Sequence, residues 1–162
     1  GGTEPRGTLR SLLRPVLFVP ETQTPFALLG EMEEHNLNMA VVIDEHGCTA
    51  GIITIDDVIE AVFGSIRDEY DPAGKEPIDQ VQILGPDHIR VPGSLRLSDL
   101  NAILKTDLDS DWFETVGGLV MEISDRFPAR GDRVSRDNFE FIVEEIAGRK
   151  IQLLDIVLHP KG

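Results

Sequence analysis

Two short apolar runs, Ala40-Val41-Val42-Ile43 and Ala50-Gly51-Ile52-Ile53, flank the turn-forming stretch Asp44-Glu45-His46-Gly47. Runs of four apolar residues bounded by such residues fit buried strands and are too short for helices. The second run leads straight into Thr54-Ile55-Asp56-Asp57, after which the period changes. Val58, Ile59, Val62 and Phe63 recur at helical spacing and predict a helix over 55–64. A hydroxyl and two carboxylates therefore sit where a strand becomes a helix. Thr54 and Asp57 have the spacing of a capping box, in which each side chain takes a backbone N–H that the helix start leaves unpaired. A helix start also attracts anions through its exposed N–H groups and dipole. A carboxylate there can accept hydrogen bonds from ribose hydroxyls, and the apolar run from Met39 to Ile43 offers a wall for a purine ring. Capping and nucleotide contact use the same residues and are compatible.

Upstream, Pro15 and Pro20 bracket a short extended piece, Val16-Leu17-Phe18-Val19. Thr24-Pro25 reads as an N-cap followed by proline at the first helical position. Phe26, Leu29, Met32 and Leu37 then predict a helix over 26–37. The order through residue 64 is strand, helix, strand, strand, helix. An acidic exit from Ser65 to Pro72 leads to a loop with Gly74 and Pro77, which marks a domain boundary. Beyond it, 81–84 and 88–91 read as a hairpin around Gly85-Pro86-Asp87, 97–104 and 113–123 as helices, and 138–146 and 151–158 as strands joined through Ala147-Gly148-Arg149-Lys150. The chain as a whole is α+β, with residues 1–14 and 72–77 as linkers.

The net charge is −14 over 162 residues, −8 on residues 1–70 and −6 on residues 71–162, so the excess is not confined to a tail. Nucleic-acid binding needs a basic face that displaces counterions, and this balance argues against it. The same acidity means that a phosphate ligand would favour an accompanying divalent cation. Cys48 is the only cysteine, which permits no internal disulfide and fits a reducing compartment. No apolar run reaches the roughly 18 residues that span a bilayer, and no signal peptide is evident.

The stretch Met39-Ala40-Val41-Val42-Ile43-Asp44-Glu45-His46-Gly47, the signature Gly51-Ile52-Ile53-Thr54-x-x-Asp57 and the tail Asp57-Val58-Ile59-Glu60 with Asp68-Glu69-Tyr70-Asp71 resemble a CBS motif, a nucleotide-sensing unit, over residues 15–71. The branch they resemble is the CorC/HlyC family, associated with magnesium and cobalt efflux. Residues 78–160, through Thr115-Val116-Gly117-Gly118, Pro128, Gly131 and the final strand pair, resemble that family's transporter-associated domain, whose fold is flavin-domain-like. The resemblance implies a regulatory module rather than an enzyme, and no catalytic residues. It implies an adenine nucleotide, ATP or AMP, with Thr54 at phosphate or ribose, Asp57 at the ribose hydroxyls and Gly51 allowing close approach. The adenine would lie against Val16, Met39, Ala40 or Ile53, and Asp56 would help place Mg²⁺ near the phosphates. CBS motifs work in pairs, and only the second of a pair is present. Its partner would be a motif upstream of Gly1 or a second chain, which implies a homodimer. A membrane transporter domain is a further implied partner, and the module would then lie at the cytosolic face of the membrane. The alternative is an interaction or dimerisation module with no small-molecule ligand.

Other candidates are weaker. Asp107, Asp109 and Asp111 mimic the opening of a calcium loop, but Trp112 and Gly118 stand where that loop needs Gly and Glu. His35, His46, His88, His159 and Cys48 show no zinc-ligand spacing. Arg126, Arg130, Arg133 and Arg136 interleave with Asp125, Asp132 and Asp137, which predicts an ion-paired loop.

Overall fold

The structure, a computed structural model, describes residues 16–67 and 76–160. The expected linker 1–14, the acidic tail 68–71 and most of the 72–77 boundary lie outside the described residues. The first unit is a three-stranded sheet with two helices: β1 (Leu17–Pro20), α1 (Pro25–Glu34), β2 (Met39–Ile43), β3 (Thr49–Thr54) and α2 (Ile55–Arg67). β1 pairs parallel to β2, as a strand–helix–strand crossover requires, and β2 pairs antiparallel to β3. The β2–β3 turn is held by Asp44, whose Oδ1 accepts from the N–H of His46 at 2.8 Å and of Cys48 at 3.0 Å. Gly47 supplies the positive φ of 79° that the turn needs.

α1 begins as the sequence indicates, with the Thr24 hydroxyl accepting from the Ala27 N–H at 3.2 Å and Pro25 next in line. It ends at Glu34, three residues short of the expected 37. Asn36 takes a left-handed φ of 55°, and the N–H groups of Asn36 and Leu37 fold back to the carbonyls of Glu33 and Met32. This is a Schellman stop, in which an apolar residue just past the cap packs back onto the helix. Leu37 is that residue and is buried, so its helical spacing is produced by the cap. α2 runs three residues beyond its expected end, and Ile66 is buried as part of it.

The second unit is a five-stranded antiparallel sheet in the order β4-β5-β8-β7-β6. Its elements are β4 (Gln82–Gly85), β5 (His88–Pro92), α3 (Leu97–Leu104), α4 (Val116–Ser124), β6 (Arg133–Arg136), β7 (Phe139–Ala147) and β8 (Lys150–Leu158). α4 starts three residues later than the sequence suggests. Leu97 N–H donates to the Glu114 carbonyl and Arg96 bridges Thr115, which holds 113–115 extended before Thr115 caps the helix. β6 is a strand where the sequence predicts a loop. Its alternation carries a single aliphatic side chain, Val134, and arginines at both ends suit an exposed edge.

The two units share one contiguous core, from Val19, Met32 and Val58 to Leu100, Phe141 and Ile156. α1 lies along β4 and α2 meets α3. Gly30 of α1 approaches the chain at Gly85 and Pro86 so closely that a methyl group there would overlap the Gly85 carbonyl. Among the described residues no helix is long and apolar enough to cross a membrane.

Candidate functional site

The strand-to-helix junction forms as its residues require. The Asp57 N–H donates to Thr54 Oγ1 at 3.3 Å, and Asp57 Oδ2 accepts from the Thr54 N–H at 3.4 Å. Ile55 N–H donates to the Asn38 carbonyl at 2.9 Å, tying the helix start to the residue before β2. Both polar side chains are exposed. The capping box uses one oxygen of the Asp57 carboxylate and one acceptor site of the Thr54 hydroxyl. The second carboxylate oxygen and the hydroxyl proton meet no protein partner among the described residues. Asp56, in the same first helical turn, is also exposed.

Register decides which of the expected contact residues share a surface. Leu17 pairs with Ala40, and Ala40 with Ile53, whereas Met39 pairs with Thr54. Side chains alternate between faces, so Val16, Met39 and Thr54 belong to one face, and Ala40, Gly51 and Ile53 to the other. The first face is open. Phe18 is 68% exposed and Ile52 65% exposed, with Val41 between them in the pairing register and Val16 and Met39 beside them. The second face packs on the helices. Ala40 is fully buried there, unlike Met39 next to it, which is exposed on the open face. Ile53 is partly buried against the core. Gly51 has no positive φ, and a Cβ built on it would meet no atom within 4 Å. Neither backbone conformation nor packing demands glycine at this position, and the space beside it is open.

The alternative sites take definite forms. Lys105, Asp107, Asp109, Arg136 and His159 edge a cavity of about 610 Å³ at the end of the second sheet. Arg136 is already engaged, donating to the Asp109 carbonyl at 3.1 Å and facing Glu122 at 3.5 Å. No group of three or more His, Cys, Asp or Glu side chains among the described residues is arranged to hold a metal ion. Of the expected ion-paired loop, one pair forms within the stretch: Arg126 meets Asp132 at 3.0 Å, and Asp132 also accepts from the Ala129 N–H at 2.8 Å, whereas Arg133 and Arg136 reach Glu140 and Glu122 on other elements.

One group escaped the sequence reading. Asp155 of β8 is buried; its Oδ1 accepts from Arg90 Nε at 2.6 Å, and its Oδ2 accepts from Arg90 Nη2 at 3.0 Å and lies 3.0 Å from His88 Nε2. Burial pushes the Asp155 carboxyl up, but the hydrogen bonds from Arg90 and His88 outweigh it and hold the carboxyl below its ordinary range. The hydrogen bond to Asp155 raises the Arg90 guanidinium, against the opposing effect of burial. A single acid in an apolar strand gives no sign of its partners in sequence, because β5 and β8 lie 65 residues apart where Arg90 faces Asp155.

Comparison with known proteins matches these two units. Residues 9–64 match the family model described as CBS domain, and residues 82–160 match the one described as Transporter associated domain, CorC_HlyC. The chain is similar to the magnesium and cobalt efflux protein CorC of Vibrio cholerae, 32% identical over 150 residues, which cover 93% of this chain and 50% of that protein. It is similar to CorC of Pasteurella multocida, 31% identical, covering 93% of this chain and 49% of that protein. The chain thus spans about half the length of these relatives. Among solved structures, it is similar to the transporter associated domain of a CBS domain protein from Porphyromonas gingivalis, 26% identical with a TM-score of 0.46, covering 49% of this chain and 98% of that one.

Proposed function

We propose that this chain, which joins a CBS domain to a CorC_HlyC transporter-associated domain, is the regulatory part of a magnesium and cobalt efflux protein and senses an adenine nucleotide through the Thr54–Asp57 junction. The observation that carries this reading is the exposed capping box, which keeps a hydroxyl proton and a carboxylate oxygen free beside an open apolar surface. Asp57 takes the ribose hydroxyls, Thr54 the phosphate or ribose, and Val16 and Met39 the base. Gly51 and Ile53 line the approach from the helix side of β3. Phosphate brought near a chain of net charge −14 favours Mg²⁺, with Asp56 as the nearest free carboxylate to orient it. The module works from the cytosolic face of the membrane.

The open sheet face supports the second half of the proposal. Phe18 and Ile52 are large apolar side chains standing in solvent on one face of the sheet, on either side of Val41, and such patches mark association surfaces. A second CBS motif, from an upstream segment or a second chain, covers this face and closes the nucleotide site. Ligand binding then biases the packing of the two motifs by its differential affinity for their arrangements, and the tight contact of α1 and α2 with the second unit carries that bias onward. If the face only pairs, the module is an interaction unit with no small-molecule ligand.

Calorimetry with ATP, AMP and Mg²⁺ separates these readings, using this chain and a longer protein that includes the preceding motif. Micromolar to millimolar binding that Asp57→Asn and Thr54→Ala each weaken by about tenfold, near 1.4 kcal/mol, supports sensing. Dimerisation with no heat from any nucleotide in either protein overturns it in favour of the interaction reading.

A further inference from the structure

A second cavity, of about 450 Å³, opens where the start of α4 meets the β7–β8 hairpin. Gly93, Gly117 and Gly118 line it together with Phe113, Met121 and Ile151. The lining is rigidly packed. A methyl group on Gly118 would overlap the Phe113 side chain, and one on Gly93 would overlap the Ile151 carbonyl. Arg149 and Lys150 also line it and are exposed.

The start of α4 is not itself an anion site. The N–H groups of Val116 and Gly117 donate to the carbonyls of Leu95 and Gly93, both at 2.9 Å, and that of Gly118 donates to Thr115 Oγ1 at 3.1 Å. Charge at the cavity therefore comes from the two side chains of the hairpin. Arg90, Arg96, Arg126, Arg133 and Arg136 each face a carboxylate within 4 Å. Arg149 and Lys150, like Lys105 and Arg130, face none among the described residues, and of these four only Arg149 and Lys150 are adjacent and line this cavity. Adjacent like charges without a carboxylate partner, lining a pocket that also carries Phe113, Met121 and Ile151, have the makeup of a small-molecule site with few convergent polar groups.

We propose that this cavity binds a small amphipathic anion, whose flat or aliphatic body rests on Phe113, Met121 and Ile151 and whose carboxylate, sulfonate or phosphate meets Arg149 and Lys150. Bidentate capture by Arg149 and the point charge of Lys150 suit any of these heads. The site lies in the transporter-associated domain and does not depend on nucleotide binding at Thr54 and Asp57.

The probe is 8-anilinonaphthalene-1-sulfonate, an aromatic body with one anionic head, titrated into the ¹⁵N-labelled chain while amide signals are followed by NMR. Saturable shifts at Gly93, Gly117, Gly118 and Ile151 are expected. The uncharged N-phenyl-1-naphthylamine and the Arg149→Glu/Lys150→Glu variant should each bind about tenfold more weakly, the loss of roughly one charge-assisted contact. Arg149 lies in the β7–β8 turn and Lys150 is the exposed first residue of β8, and an unchanged spectrum away from the cavity confirms the fold. Shifts that instead cluster at Phe18 and Ile52, or equal affinity in the double variant, overturn the proposal. Vesicles of phosphatidylglycerol distinguish the source of the anion. Sedimentation with them that the double variant loses makes the ligand a lipid headgroup, and no sedimentation beside a positive titration makes it a dissolved solute.

Discussion

Asp155 shows how a single side chain couples stability to pH. Its native carboxyl is held below the unfolded value, near 3.9 for aspartate, so the native state binds the proton less readily than the unfolded chain. The resulting stabilisation is fully present above that unfolded value and is lost as pH falls through the depressed native one. Asp155→Asn should cost about 2 kcal/mol at pH 7, because Arg90 and His88 keep only a neutral acceptor, and should flatten the acid limb of the stability profile. Urea unfolding between pH 3 and 7 reads both effects. A variant that retains the full acid sensitivity of the parent would place its origin in other carboxylates. Thr54 acts at the same scale but on the solvent side. Thr54→Ala should cost about 1 kcal/mol through the lost cap, and Thr54→Ser should restore it, so nucleotide affinity can be compared in two variants of known stability.

At the scale of elements, glycine placement gives a sharp comparison. Gly30 lies in the middle of α1, and helix propensity alone favours Gly30→Ala by about 1 kcal/mol. The packing of α1 on β4 opposes this, since the new methyl group would overlap backbone at Gly85. Backbone cannot rotate aside as a long side chain can, and such overpacking costs about 1–3 kcal/mol. Packing therefore outweighs propensity, so Gly30→Ala should lower the urea midpoint, whereas a stabilised variant would show that α1 and β4 separate readily. β6 illustrates the complementary point. Its arginines pair with Glu140 and Glu122 on neighbouring elements, so its charges are cross-element contacts that a local reading places within one loop.

Across the whole molecule, the shared core predicts cooperative behaviour. Units joined through Phe26, Leu29, Phe63 and Ile78 in one cluster should unfold in a single transition, with helical and near-ultraviolet signals superimposable on heating. Two separated transitions would mean that the second sheet folds independently of the first. The open face of the first sheet carries the proposed assembly contact, and a charge there should act on association rather than on folding. Phe18→Glu with Ile52→Glu should leave the unfolding midpoint within about 0.5 kcal/mol of the parent, as surface changes do. The same pair should abolish sedimentation as a dimer, or pairing with a second CBS motif, and an unaltered association would remove this face from the interface.

The sequence alone determined the features whose cause is local. Apolar runs and their period fixed the strand–strand–helix order around Thr54, proline and threonine fixed the start of α1, and the Thr54–Asp57 spacing fixed the capping box, because each depends on residues within a turn of one another. Tertiary structure decided what depends on pairing across the chain. Strand register placed Met39 on the open face and Ala40 in the core, one residue apart with opposite fates, because each step along a strand reverses the side chain. Long-range contact also gave Asp155 its two cationic partners and left Arg149 and Lys150 with no carboxylate among the described residues. Charge and apolarity can be counted in a sequence, but which groups meet is set only when distant strands come together.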